Sequence, residues 1–283
     1  MQQEPDSREH HRQRSEFIRE LVQRRLSQRS VRTRYERVIP RTIVQFWHDL
    51  QQLPHDVEEC IASWARWEKS GFTHRLFDEP AAKAFIGGSL GTRYERAFEC
   101  CYHPAMQADY FRLCYLLVNG GFYVDADEVC VGADIGWLFE DGRIKLQPLC
   151  YDIASGAMVK PAVFLCADAY DPSWIFYFNN NPLVAGEGHP IIERALTQAT
   201  SLLELAGADS LPEIQTTTGP GNLSKSIFDL GLTSESGVES ELFVLRDWES
   251  LGVQRWPLSY RGDARNWRLS NQKRTDNCGR FSQ

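Results

Sequence analysis

At 283 residues the chain is long enough for one large domain with a buried core, and its 42% hydrophobic and 24% charged residues are ordinary for a globular protein. A net charge of −7 runs against the clustered basic surface that nucleic-acid binders carry, so no nucleic-acid partner is expected. Eight cysteines without C-x-x-C pairs or zinc-finger spacing, no apolar signal-peptide stretch, and no uncharged run of about 18 apolar residues point to a reduced, cytoplasmic protein without a membrane span.

Residues 1–38 carry ten arginines against six acids, a balance of +4 that leaves −11 for the remainder. Residues 1–14 are charged and expected to be disordered. From Ser15 onward, Phe17, Ile18, Leu21, Val22 and Leu26 fall at helical spacing. Packing of this stripe on its own domain is the expectation. A partner, or peripheral contact of residues 15–28 with an anionic membrane surface, is the alternative.

Residues 39–48, IPRTIVQFWH, read as a buried strand after a proline. A helix is expected over Val57–Trp67, and a second strand from Arg75-Leu76-Phe77. His103-Pro104 opens a helix, because proline suits the first helical position. Asn119-Gly120-Gly121 stops it near Val118. The short strand Phe122–Val124 follows and ends in Asp125-Ala126-Asp127-Glu128. Further on, the expectations are a strand over Trp174–Phe178 ending in three asparagines and a helix over Pro190–Ala206 closed by Gly207. A Thr/Gly/Pro loop over Thr216–Asn222 leading into another helix, a strand over Phe243–Leu245 and a loose polar tail after Asn271 complete the reading. Strands and helices alternate without repeats or linkers, which favours a single α/β layered domain. The expected division is a charged extension over 1–38 with an amphipathic helix, a catalytic domain over 39–270, and a tail over 271–283.

The stretch from Pro104 to Glu128 carries the chemistry. Asp109 and Arg112 are three apart on their helix and share a face. The double glycine lets the next strand return beside that helix. Asp125 and Asp127, one residue apart in extended chain, point the same way across the small Ala126. Two such carboxylates suit a hard divalent cation, which in turn neutralises a nucleotide diphosphate. Arg112 offers a fixed fork of donors to a phosphate or a sugar hydroxyl, and Asp109 accepts from sugar hydroxyls. A bare D-x-D is usually only a turn. An apolar strand ending in D-x-D, after Gly-Gly and a helix bearing D-x-x-R, is far more specific.

This segment resembles the DXD-motif sugar-binding region of a glycosyltransferase family. The family includes yeast initiating α-1,6-mannosyltransferases, bacterial capsule and lipopolysaccharide transferases and, more distantly, the large clostridial glucosylating toxins. The matched residues are Asp109, Arg112, Gly120, Gly121, Tyr123, Asp125 and Asp127. Ile39-Pro40 with Gln45-Phe46-Trp47, Asn179–Asn181 before Gly188-His189-Pro190, and Thr218–Gly221 match as well. The resemblance implies a GT-A fold with a mixed central sheet flanked by helices, a UDP- or GDP-sugar donor, Mn²⁺ or Mg²⁺, and retention of configuration. It also implies roles. Trp47 stacks on the base, Tyr123 lines the nucleotide pocket, Asp109 holds sugar hydroxyls and Arg112 contacts the donor. Asp125 binds ribose or sugar and water on the metal, and Asp127 ligates the metal.

The match weakens toward the C-terminus. In place of the family's His-containing closing segment stands Asp263–Arg268. Asp263 is its candidate metal ligand and Trp267 its candidate lid over the nucleotide, although a tryptophan packing a C-terminal strand reads equally well. Asn180 or Asn181 is placed to polarise the reacting centre, with spacing from Gly188 favouring Asn180 as catalytic and Asn181 as a donor contact; a triple asparagine also simply makes turns. His189 reads as a helix cap, and His48 and His103 flank the expected pocket without a nucleophile to pair with. No base stands beside the D-x-D, which fits a retaining route. The acceptor, whether glycan, lipid-linked, small-molecule or protein, is not specified. Two rivals remain. A nucleotidyltransferase needs a Gly-rich basic loop that Arg41–Val44 does not form. A catalytically silent carbohydrate-binding protein would be expected to have lost one of the four charged residues.

Overall fold

The computed structural model describes residues 8–24, 38–206, 211–233, 238–255 and 257–270. Leu26, Gly207 and the expected polar tail over 271–283 lie outside the described residues.

Alternation in the strand after Pro40 sets the layers. Strand β1 (Thr42–Phe46) sends Val44 and Phe46 to one side and Ile43 to the other, and each side carries its own apolar cluster. Strand β2 (Thr73–Phe77) lies parallel on one flank of β1, and β3 (Gly121–Tyr123) parallel on the other. Beyond β3 the sheet turns antiparallel through the long β7 (Trp174–Ala185), then β5 (Ile144–Asp152) and β6 (Ala157–Met158). Strand β8 (Leu242–Val244) pairs parallel with β5, making a mixed sheet of seven strands among the described residues. A second small sheet joins β4 (Glu128–Cys130) to β9 (Gly252–Gln254).

Helices cover both faces. On one side α5 (Pro104–Asn119), α7 (Pro190–Leu205) and α9 (Pro220–Thr233) bury Phe111, Ile192 and Ile227 against Val44, Leu146 and Phe178. On the other, Trp64 of α2 (His55–Ala65) stacks on Trp248 at 6.1 Å and meets Phe122 edge-on. The architecture is therefore a mixed α/β sheet flanked by helices. Between β2 and α5 lie α3 (Glu79–Leu90) and α4 (Thr92–Glu99), two helices not expected from the sequence. The Asp78 side chain caps α3 by accepting from Ala81 N at 2.9 Å.

Several boundaries differ from expectation. The first helix, α1 (Arg8–Gln23), begins inside the stretch expected to be disordered. Its charged first turns form local pairs such as Arg12 with Glu9, while its apolar stripe has a core to enter. Strand β7 does not stop at Phe178 but runs through Asn179–Asn181 to Ala185, and its register on β5 shifts between Leu146 and Pro148. The Thr216–Asn222 stretch is not an open loop. It links α8 (Ile214–Thr217) to α9, and a Cβ at Gly219 or Gly221 would fall 2.9 Å from Gln215 main-chain atoms. Glu213 caps α8 by accepting from Gln215 N and Thr216 N.

Helix α1 packs on its own domain. Ile18 and Val22 are fully buried in the main cluster, and Phe17 meets Phe228 edge-on at 5.5 Å. Phe176 N donates to Ser15 Oγ at 2.9 Å, and the Gln23 amide donates to Phe164 O and Ala169 O. The stripe is thus buried as expected, for the part described, rather than offered to a membrane as in the alternative reading of residues 15–28. Among the described residues no helix is long and apolar enough to cross a membrane. Ile18→Ala should therefore lower unfolding free energy by about 3 kcal/mol, read by denaturant titration, because it leaves a buried cavity. An unchanged midpoint would mean that α1 is not part of the cooperative core.

Candidate functional site

A double glycine puts the key strand where it is. Gly120 has φ +64° and Gly121 φ +120°, conformations that side chains resist. A Cβ at Gly120 would lie 2.7 Å from Glu187 N, and one at Gly121 would lie 2.9 Å from Thr42 O. Only glycine lets β3 wedge between β1 and β7 directly after α5. The strand's end then opens into a cavity of ≈ 540 Å³, within the usual range for small-molecule sites.

Arg112 is the centre of the cavity floor, with 3% of its side chain exposed. Its Nη2 lies 2.9 Å from Asp125 Oδ1 and 3.0 Å from Asp109 Oδ1. Nη1 donates to Asn180 O at 2.6 Å, and Nε to Ala108 O at 3.3 Å. Its guanidinium lies 4.5 Å over the Tyr123 ring. Asp109 also accepts from Asn180 Nδ2 at 2.8 Å and from Thr218 Oγ1 at 3.4 Å. Burial raises the Asp109 pKa, against the pull of Arg112 and Asn180. The D-x-x-R spacing thus delivers the pair it implied, but the arginine's fork is spent on protein groups beneath the cavity.

The D-x-D turn is held from three sides. Asp125 N donates to Asn181 Oδ1 at 2.9 Å, and Asp125 O accepts from Gln45 Nε2 at 3.2 Å. Asn181 Nδ2 in turn donates to Glu128 Oε2 at 2.6 Å, while Glu128 Oε1 accepts from Trp248 Nε1. Burial lifts the Glu128 carboxyl to about 8 against those two donors, with Asp125 and Asp127 pushing the same way as burial. Asp125 keeps 28% of its side chain exposed. Burial raises its pKa to about 6, although Arg112 draws it down.

Asp127 faces the C-terminal segment. Its Oδ2 accepts from the Tyr260 hydroxyl at 2.6 Å and from the Arg261 guanidinium. Burial and the neighbouring Asp127 both raise the Tyr260 pKa, so the phenol stays protonated and donates. The Tyr260 ring meets Trp47 edge-on at 5.1 Å. The buried Trp47 Nε1 finds no acceptor among the described residues. His103 caps α5, its Nδ1 accepting from Ala105 N at 3.0 Å, so its Nε2 donates to Ala264 O and ties this segment to the cavity rim.

Of the residues singled out in the sequence, Trp47, Asp109, Arg112, Asp125, Asp127, Asn180, Asn181 and Trp267 all line the one cavity. Tyr123 does not. It is fully buried, facing the main core beneath Arg112, because the alternation of β3 sends residue 123 inward. Asp263 is not gathered with the D-x-D: both its oxygens engage Arg265, and among the described residues no three acids, histidines or cysteines form a metal-binding group. His189 caps α7, with Nδ1 accepting from Ile191 N at 3.3 Å. Burial takes its pKa down to about 3. Glu128, Tyr260 and Arg261 were missed. The acid beside the D-x-D was a visible signal, whereas Tyr260 and Arg261 belong to no motif.

Residues 54–137 match the family described as "Glycosyltransferase sugar-binding region containing DXD motif". The chain is 24% identical over 210 residues to the initiation-specific alpha-1,6-mannosyltransferase of Schizosaccharomyces pombe (strain 972 / ATCC 24843), covering 69% of this chain. It spans 49% of that curated relative's length. Among solved structures it is similar to PaToxG Glycosyltransferase at a TM-score of 0.47 and 15% identity, over 80% of this chain and 78% of that one. The matched region reaches from α2 through the helix, glycine turn and strand end that build the cavity floor, so the likeness to the DXD-containing sugar-binding region falls on the site itself.

Proposed function

We propose that the protein transfers a sugar from a nucleotide-sugar donor to an acceptor with retention of configuration, using a divalent cation, on a GT-A-like fold. The observation that supports this most is the presentation of Asp125 and Asp127 at the rim of one cavity, braced from below by Arg112 through Asp109, Asp125 and Asn180. The donor is a UDP- or GDP-sugar. A hexosyl group is favoured by the relative named a mannosyltransferase.

The fit to a cation rests on the donor set. Two carboxylates, completed by diphosphate oxygens and water, suit Mn²⁺ or Mg²⁺, which commonly take only one or two protein acids at nucleotide sites. The guanidinium on Asp127 already marks that carboxylate as a place for positive charge. When bound, the cation would neutralise charge developing on the departing diphosphate. The protein's own groups do the rest. Trp47 closes the base end of the cavity, its indole N–H offered to a ligand acceptor. Asp125 and Asp109 accept from ribose or sugar hydroxyls in a direction that Arg112 fixes. Asn180, hydrogen-bonded to Asp109, orients the reacting end. Trp267, with the Arg268 guanidinium 4.6 Å over its ring, lines the same cavity.

Asp127→Asn should keep the fold, judged by circular dichroism, and lose activity by about 100-fold or more, in a donor-hydrolysis assay across UDP- and GDP-sugars. Wild-type protein in EDTA should fall to the same level. Full turnover of either would remove the cation from the account.

Arg112→Lys keeps the charge but not the planar fork. Donor affinity measured by calorimetry should weaken by about tenfold, equal to about 1.4 kcal/mol, as Asp109 and Asp125 lose a common partner. A folded Arg112→Lys protein with wild-type affinity would show that the ion-pair network does not set the donor site.

A further inference from the structure

Asp127 carries a single carboxylate, and two donors from one turn already hold its Oδ2. The turn Ser259–Gly262 brings the Tyr260 hydroxyl to 2.6 Å from that oxygen and sets the Arg261 guanidinium against it. Both partners of the ion pair are buried, Arg261 with 9% and Asp127 with 10% of the side chain exposed. The turn is anchored independently of Asp127. Asp56 accepts from Ser259 N and Oγ, Asn266 Nδ2 donates to Arg261 O at 2.8 Å, and Tyr260 packs on Trp47.

A guanidinium does not shed its proton, so it cannot share this oxygen with a divalent cation without strong like-charge repulsion. One must leave when the other arrives. The planar fork of Arg261 matches a phosphate as well as a carboxylate, and Arg261 lines the cavity where the diphosphate would lie. We propose that Arg261 holds the cation's place on Asp127 and is handed over to the donor's diphosphate when the cation binds. This rests on the donor reading above. Asp127 is then neutralised in both states, by Arg261 before loading and by the cation after. The diphosphate gains a charged partner only once the cation is in place. Ordered loading, cation before or with the donor, follows from the exchange.

The test uses the full chain and isothermal titration with MnCl₂, then with UDP and GDP at saturating Mn²⁺. Arg261→Gln should bind Mn²⁺ about tenfold more tightly without nucleotide, since a competitor that occupies the site in most molecules lowers apparent affinity by that fraction. The same variant should bind the nucleotide diphosphate about tenfold more weakly, as expected for a lost charge-assisted pair. Arg265→Gln is the control. It removes a charge from the same cavity wall, but that guanidinium engages Asp263 at 2.7 Å. Unchanged Mn²⁺ affinity in Arg261→Gln, an equal gain in Arg265→Gln, or unchanged nucleotide affinity would each overturn the exchange. Should Arg261→Gln prove unfolded by circular dichroism, Arg261→Lys decides. It keeps the pair but loses the fork, so Mn²⁺ affinity should hold while nucleotide affinity falls; unaltered nucleotide affinity there overturns the hand-over. Wild-type protein that binds neither Mn²⁺ nor nucleotide would instead take down the donor reading, and the exchange with it.

Discussion

A guanidinium keeps its charge at any physiological pH, and removing it from water is costly unless acids and carbonyls meet it in the right places. Arg112 is buried against Asp109, Asp125 and the Asn180 carbonyl, which come from α5, the end of β3 and the middle of β7. Three separate pieces of chain must therefore arrive together, or a buried charge is left without compensation. The glycine pair that lets β3 follow α5 so closely, and the cap that starts α5 at His103, are local devices serving that meeting. The Asn181 clamp on the D-x-D backbone belongs to the same assembly, because it lies on β7 next to the carbonyl that Arg112 grips.

Above that hub the site is crowded with acid. Asp109, Asp125, Asp127 and Glu128 lie together, and burial raises the pKa of Asp109, Asp125 and Glu128. Like charges in a low-dielectric cleft raise one another further. Such an arrangement stores affinity for positive charge. Arg112 supplies part of it at Asp125 and Arg261 part at Asp127. The two arginines differ in how their surroundings are built. Arg112 is wired into three elements of the sheet core, whereas Arg261 sits on a single 3₁₀ turn of the C-terminal segment.

Much of this was legible in the sequence because it depends on local rules. Proline at the first turn, Asn-Gly-Gly at the last and a three-residue D-x-x-R offset place α5, β3 and the Asp109–Arg112 pair without tertiary information. Tyr123 was misplaced because the side a residue faces on a three-residue strand is set by its neighbours in the sheet. Residues 216–222 read as a loop from composition, yet their glycines are there for close packing of two helix ends against each other. The middle of the chain hid most. Strand β5 carries Lys145 and Pro148, poor strand signals, and its buried lysine is met by the Asp141 carboxylate and by the Arg143 carbonyl, each at 2.9 Å. No pattern links Tyr260 and Arg261 to Asp127 across more than 130 positions of chain, and only the fold brings them together.

We propose a cation site at the D-x-D, assembled over Arg112 with Asp127 as ligand, and the position of the ion tests it. Crystals grown with MnCl₂ and UDP or GDP, with anomalous diffraction recorded at the manganese edge, would locate the ion directly. The account predicts a single strong peak within coordination distance of Asp127, with Arg261 withdrawn from that carboxylate and Arg112 still joined to Asp109 and Asp125. A manganese peak elsewhere, or one at Asp127 with Arg261 still in place on the same oxygen, would contradict it.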